Sequence, residues 1–374
     1  MLSEYRRLFP ITQKSTYLNT AAESPLLSLH KDVLDHYLGR KMAGTASQED
    51  LYSEIECCRQ AAAAILDAES KEIGFMGSTS EAISSFISSI PWSPGDNVVL
   101  SELEHAADIV PCLPLARKGV EIRVIKRRGG IVLEDDLVER IDWRTRAVVL
   151  AYVSHWSGYR HSLDKVKEAI HRNGGYLILD ATQAFGVVPV DLSEVDFLTA
   201  SSYKWLLGFP GISVVYLSSS CDVEPLFPGW RGIEEFDLAS PVQYSVRQGA
   251  RGLERGYPNF LGISILRKGI ELIGRIGISS ISSHVESLCN LIVEGLCGLS
   301  LEVITPNDPQ MRAGIAAFRH QESKEMTAYL RKYGIYVTGG EGRVRVSCHF
   351  FNNVSDVEHI LSKLRFIITR HVGR

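Results

Sequence analysis

Tyr176-Leu177-Ile178-Leu179-Asp180-Ala181-Thr182-Gln183 is a short apolar run that ends in a carboxylate. Such a run reads as a strand buried on both faces, and open α/β sheets bind their ligands at the C-terminal ends of the strands. The competing reading of Asp180 is a helix N-cap or loop aspartate. Outward from this stretch, β-rich runs recur at 97–100, 147–153 and 212–216, separated by helix-like stretches such as 163–171. That alternation predicts an α/β protein with a mostly parallel sheet covered by helices. Over 80–90, Ala82, Ile83, Phe86, Ile87 and Ile90 recur at helical spacing, so this helix lays one face on the sheet.

The texture changes near 245. Gly and Arg crowd 248–257, a long helical segment runs from about 261 to 299, and a shorter α+β tail follows. Within the tail, 344–348 reads as a strand and 355–369 as an amphipathic helix started by Ser355-Asp356. The expected organisation is a large unit, 16–245, and a small α+β unit, 246–374, with residues 1–15 packing on the small one. No repeat or heptad array points to a solenoid or coiled coil.

The 374 residues carry 40 Lys+Arg against 44 Asp+Glu, a net charge of -4 that gives no general attraction to nucleic acid or to an anionic membrane. The opening residues contain Glu4, Arg6 and Arg7 and no apolar core before a cleavage site, so a cytoplasmic location is the expected default. The longest uncharged stretch, 205–221, is interrupted by Gly208-Phe209-Pro210-Gly211 and does not read as a membrane span. Seven scattered cysteines without Cys-x-x-Cys read as reduced thiols rather than as a disulfide framework or a zinc cage, and no metal site is expected.

Gly-x-Gly-x-x-Gly, Walker, His-Glu-x-x-His and Gly-x-Ser-x-Gly motifs are all absent. Three segments can carry chemistry. Gly77-Ser78-Thr79-Ser80-Glu81 opens the amphipathic helix, where unpaired N–H groups and hydroxyls suit a phosphate; the same residues read as a capping box of Ser78 with Glu81, leaving Thr79 for a ligand. Asp180 at its strand end would suit a cationic ring nitrogen. Ser201-Ser202-Tyr203-Lys204-Trp205-Leu206-Leu207-Gly208 places a lysine beside bulky apolar residues. Desolvation there would lower its pKa, as Schiff-base formation requires, whereas a lone lysine is usually a solvated surface charge.

In this order the three segments resemble the site of fold type I pyridoxal phosphate enzymes, specifically the class V aminotransferase and cysteine desulfurase-like family. The resemblance covers almost the whole chain. It includes Tyr17-Leu18-Asn19-Thr20-Ala21-Ala22, Glu104-His105-Ala106-Ala107-Asp108 and the late Arg345-Val346-Ser347-Cys348-His349-Phe350-Phe351-Asn352.

What the resemblance implies is a sheet of the seven-stranded type in a homodimer that binds pyridoxal 5'-phosphate and acts on a small amino acid. Lys204 would form the Schiff base, and Asp180 would meet the pyridinium nitrogen. Gln183 would reach the ring oxygen and His105 would stack on the ring. Ser78, Thr79, Ser201 and Tyr203 would surround the phosphate, Arg345 would take the substrate carboxylate, and Asn19 and Ala21 would lie near the substrate. Arg343 competes with Arg345, since strand alternation puts both on one face. Each lone residue also has an ordinary reading: a satisfied core histidine for His105, a surface ion pair for the arginines.

Two departures from the family narrow the chemistry. Residues 153–158 lack the Asn that desulfurases offer the cofactor, and 334–342 contain no cysteine to act as a mobile nucleophile. Tyr257 stands where the family loop usually has the Thr that reaches a neighbouring subunit's phosphate. Aminotransferase chemistry therefore leads, epimerase-, kynureninase- or lyase-like chemistry is the alternative, and desulfuration ranks lower. A cofactor-free scaffold of the same fold is the non-enzyme alternative.

Overall fold

The computed structural model describes residues 2–44, 48–237 and 243–371. A seven-stranded sheet runs in the spatial order Ile73–Met76, Ser213–Leu217, Phe197–Ser201, Tyr176–Asp180, Thr145–Ala151, Asn97–Ser101, Glu121–Ile125. Only Ser213–Leu217 runs against the others, because both of its pairings are antiparallel and the remaining pairings are parallel. Six strands thus end at one edge, where Met76, Ser101, Ala151, Asp180 and Ser201 bring their following loops together. The central strands are Val-, Ile- and Leu-rich and covered on both faces, as parallel strands between helices must be.

The helix Thr79–Ser89 follows the Ile73–Met76 strand, and Asp164–Arg172 covers the crossover from Thr145–Ala151 to Tyr176–Asp180. The long helical segment is two helices, Phe260–Ile276 and Ile278–Gly298, bent by 84°. Gly277 makes the break with a φ of 87°, a backbone state that side-chain-bearing residues rarely adopt. Among the described residues no single helix is long and apolar enough to cross a membrane.

A second, antiparallel sheet holds Ile315–Arg319, Arg343–Ser347 and Thr338–Gly340, with Arg343–Ser347 in the middle. Thr16–Tyr17 pairs with Ile335–Tyr336 beside it. Arg6 joins the N-terminal segment to the last helix, Val354–His371, by two bonds to Asp356 at 2.6 and 3.0 Å. That helix is capped by Asn353 rather than started by Ser355-Asp356: the Asn353 side chain accepts from Asp356 N, and Asp356 accepts from Asn353 N. We propose that the chain divides near 245 into two units, each organised around its own sheet, with Phe260–Ile276 bridging them by packing on Gln48–Leu66.

Arg59, on Gln48–Leu66, is fully buried, and it ties this helix to the edge strand and to the 252–259 loop. It donates to the Ile73 carbonyl and to Glu254 Oε1 at 2.8 Å, and the same oxygen accepts from Phe75 N. Removing one member of such a pair strands a buried charge, which costs about 3–5 kcal/mol. Arg59→Met is therefore expected to lower the urea unfolding free energy by about that amount. Lys31→Ala, which breaks the exposed Lys31–Asp35 pair, should leave the unfolding midpoint in place.

Candidate active site

Two adjoining cavities open at the C-terminal edge of the large sheet. The inner one, about 140 Å³, is lined by Thr79, His105, Asp180, Thr182, Ser201 and Lys204 among others. The outer one, about 550 Å³, reaches from Lys204 to Arg343 and Arg345. His105, His155, Gln183, Tyr203 and Lys204 face both.

Ser78 is extended and caps the Thr79–Ser89 helix, its hydroxyl accepting from Glu81 N at 3.1 Å. The expected capping box is only half made. The Glu81 carboxylate reaches back to Gly77 N at 2.9 Å rather than to Ser78 N. The N–H groups of Thr79 and Ser80 have no acceptor among the described residues and lie at the inner cavity. Thr79 Oγ1 lies 2.9 Å from Ser201 Oγ and 3.3 Å from Thr182 Oγ1, so three hydroxyls from three segments meet there.

Across the inner cavity, Asp180 is buried and accepts from Thr182 N at 2.7 Å. Two further buried carboxyls stand behind it. Asp108 accepts from His105 N at 3.1 Å, while its Oδ1 has no partner; burial first, then the charges of Asp180 and Glu104, push it well above the usual carboxylate range. Burial also raises Glu104, against the bonds it accepts from Ser101 Oγ and Ala151 N. Carboxyls this crowded favour one shared proton or an incoming cation.

His105 caps its own short helix, Nδ1 accepting from Ala107 N, and its ring meets His155 edge-on at 5.0 Å. Burial pulls His155 down to about 3, so both imidazoles face the cavity largely neutral. Gly158 shapes the loop that carries His155: its φ is 79°, and a Cβ there would lie 2.5 Å from the Ile315 carbonyl oxygen.

The Lys204 amine has no hydrogen-bonding or ion-pair partner among the described residues. Burial lowers it to about 8, with Asp180 pulling the other way and Arg345 adding to the decrease. Trp205, wholly buried, donates Nε1 to Gln183 Oε1 at 2.7 Å, and Gln183 Nε2 donates to the Ala21 carbonyl at 3.1 Å. The amide is thereby oriented with one N–H to spare.

Arg345 Nη1 donates to the His155 carbonyl at 2.7 Å, and its Nε is buried without a partner. Burial, then the neighbouring Arg343 charge, holds it down to about 10. His349 serves the frame: its Nε2 meets the Trp205 carbonyl at 3.0 Å.

The structure thus brings Ser78, Thr79, His105, Asp180, Gln183, Ser201, Tyr203 and Lys204 to the inner cavity and Ala21 and Arg345 to the outer one. Asn19 lines neither; its Oδ1 accepts from the Thr338 hydroxyl one layer behind. Tyr257 lies on a separate surface cleft with Gly77 and Arg255 and accepts from Gln48. The sequence reading missed His155, Thr182, Glu104 and Asp108 as site residues; a histidine four residues past a parallel strand end was the one local signal.

The chemistry of these donors fits a phosphorylated pyridine aldehyde. Free N–H groups and hydroxyls suit its phosphate, a buried carboxyl cluster its ring nitrogen, a spare amide N–H its ring oxygen, and a depressed amine its carbonyl.

The aminotransferase class-V family model matches residues 16–360, and the chain belongs to that family. It is a pyridoxal phosphate-dependent enzyme of fold type I that acts on an amino acid. It is 26% identical over 367 residues to an uncharacterized aminotransferase, YcbU, of Bacillus subtilis, covering 96% of each chain. It is 27% identical over 394 residues to a probable cysteine desulfurase of Pyrococcus abyssi, covering 98% of this chain and 97% of the other. The cysteine desulfurase structure from Thermococcus onnurineus has the same fold, with a TM-score of 0.88, 24% identity and 98% of each chain covered.

The electrostatics of Lys204 make a signed prediction. Capture of pyridoxal phosphate by the apoprotein should rise with pH through about 8, where an ordinary lysine would titrate near 10.5. Asp180→Asn removes the charge that raises Lys204 and should move the profile to lower pH; Arg345→Met should move it to higher pH. Stopped-flow absorbance against pH reads both shifts.

Proposed function

We propose that the chain is an aminotransferase whose Lys204 holds the cofactor. The observation that carries this reading is the convergence of an unpaired, depressed amine, a buried carboxyl cluster and unpaired helix N–H groups on one cavity, with a guanidinium at its mouth.

Pyridoxal phosphate, when bound, supplies the electron sink for breaking a bond at the substrate Cα. In the proposed assignment Thr79, Ser80, Thr182 and Ser201 hold the phosphate, with Ser78 capping the helix and Tyr203 alongside. Asp180 receives the ring N–H, and Gln183 gives its spare N–H to the ring oxygen. His105 would stack on the ring. Arg345 grips the substrate carboxylate and so fixes which Cα bond faces the reaction. Lys204, once displaced by the substrate amine, moves the proton at Cα, and its depressed pKa suits that task near neutral pH.

The position of the thiols supports transamination over desulfuration. None of the seven cysteines lines either cavity, and Cys348 is buried in the core with its thiol pushed well above its usual range. The proposal includes a homodimer, because the 252–259 loop that the family directs to a neighbouring copy stands at the surface with Tyr257 64% exposed. A cytoplasmic location completes it.

The test is single-turnover conversion of an amino donor to its keto acid by purified holoenzyme, with borohydride trapping and peptide mass analysis. Expected are a covalent adduct on Lys204, absent in Lys204→Ala, and a new amino acid when a keto acid is added, formed about 10²–10⁴-fold more slowly in that variant. Sulfide release from cysteine without amino transfer would replace this reading by desulfuration or lyase chemistry. Failure to take up pyridoxal phosphate would overturn it.

A further inference from the structure

Arg345 accounts for one carboxylate; Arg343, two residues earlier on the same strand and equally buried, is left over. Both side chains leave one face of the strand and line the outer cavity. Consecutive carbonyls of one loop hold them: Arg345 Nη1 donates to the His155 oxygen at 2.7 Å and Arg343 Nε to the Trp156 oxygen at 3.0 Å. Arg343 also lies over the Trp156 ring, 5.4 Å from its centroid, which fixes the plane of its guanidinium.

The counter-charge is incomplete. Glu341 accepts from Arg343 Nη1, but its side chain is 69% exposed and sits on the hairpin corner with a φ of 53°. Arg345 has no carboxylate partner, its Nε is buried and unpartnered, and Nη2 of both guanidiniums has no protein acceptor among the described residues. The cation across the strand, Arg319, is already paired with Glu302, and Arg127 adds a further positive charge over Trp156. Two buried guanidiniums thus stand beside one exposed carboxylate, which bonds only Arg343. Beside Arg343 there is room as well: Gly340 pairs with it across the hairpin, and a Cβ there would meet nothing within 4 Å.

We propose that Arg343 is a second anion anchor and that the substrate is an α-amino acid with a side-chain carboxylate. Its α-carboxylate sits on Arg345, and its distal carboxylate takes the place of Glu341 on Arg343. This inference rests on the proposed aminotransferase reading and deepens it by naming the substrate class. Glu341, on its exposed corner, then acts as a displaceable lid on the empty anchor. A cavity of about 550 Å³ accommodates both groups at once.

The test uses holoenzyme and two equilibrium readouts that require no turnover. Calorimetry compares glutarate and succinate with butyrate, and titration of the cofactor absorption band compares L-aspartate, L-glutamate and L-2-aminoadipate with L-alanine, L-norvaline and L-lysine. Wild type should bind the best acidic ligand roughly 10- to 100-fold more tightly than its uncharged counterpart. That ratio should collapse in Arg343→Gln and be partly kept in Arg343→Lys. Arg345→Gln should weaken acidic and uncharged amino acids alike, and Glu341→Gln should tighten dicarboxylic ligands. Equal wild-type affinity for both kinds, an unchanged ratio in Arg343→Gln, or a preference for L-lysine would overturn the inference; the wild-type comparison decides even where a variant fails to fold. A normal cofactor band without acid selectivity defeats this inference alone, whereas absence of the band defeats the aminotransferase reading with it.

Discussion

The hydrogen bond from the Trp205 indole to the Gln183 amide is the contact on which the rest of the site depends. It joins the lysine segment to the segment that carries Asp180. From its two ends the frame spreads: Gln183 donates to Ala21, Ala21 N donates to Ser347 on the arginine strand, and His349 meets the Trp205 carbonyl. Four stretches far apart in sequence are thereby held within one buried network. A buried donor or acceptor left unpaired costs about 1–3 kcal/mol, so each stretch is confined to the arrangement that satisfies the others. Leu207, in the left-handed region at a φ of 61°, turns the chain away directly after Lys204 and stays there because it is wholly buried.

On this frame the charges are separated. Asp180 lines the inner cavity with Asp108 buried behind it and Glu104 coupled to both; Arg345 and Arg343 line the outer cavity, and Lys204 stands between the two sets, facing both cavities. Neither set holds its own counter-charge: the carboxyls can at most share a proton, and Arg345 keeps an unpartnered nitrogen. A molecule with a cationic ring edge on one side and carboxylates on the other completes both sets. The inward-facing histidines add packing and little charge, since burial holds His155 near 3.

Much of this was legible in the sequence. Apolar runs located four strands of the large sheet and Arg343–Ser347 of the small one to within a residue or two but did not mark Ile73–Met76, Glu121–Ile125, Phe197–Ser201 or Ile315–Arg319; parallel strands ending at one edge explain why Asp180, Ser201 and the 77–81 turn meet. Other features needed the third dimension. Glu104 and Asp108 follow one strand and Asp180 ends another, so nothing local signals that three carboxyls share a site. Nothing in the sequence marks Thr182, whose hydroxyl lies between Thr79 Oγ1 and Ser201 N. Asn19 looked like a substrate contact, but the Thr338 hydroxyl holds it behind the wall. The helical segment over 261–299 conceals its break because Gly277 leaves the apolar periodicity unaltered on either side.

The central claim is that the buried carboxyl of Asp180 keeps the cofactor's ring nitrogen protonated. It is tested most directly by nitrogen-15 magnetic resonance of the protein reconstituted with ring-labelled pyridoxal phosphate. The account predicts a protonated-nitrogen shift that holds from pH 6 to pH 9 and is lost in Asp180→Asn. An unprotonated ring nitrogen in the wild-type protein, or a shift indifferent to Asp180, would contradict it.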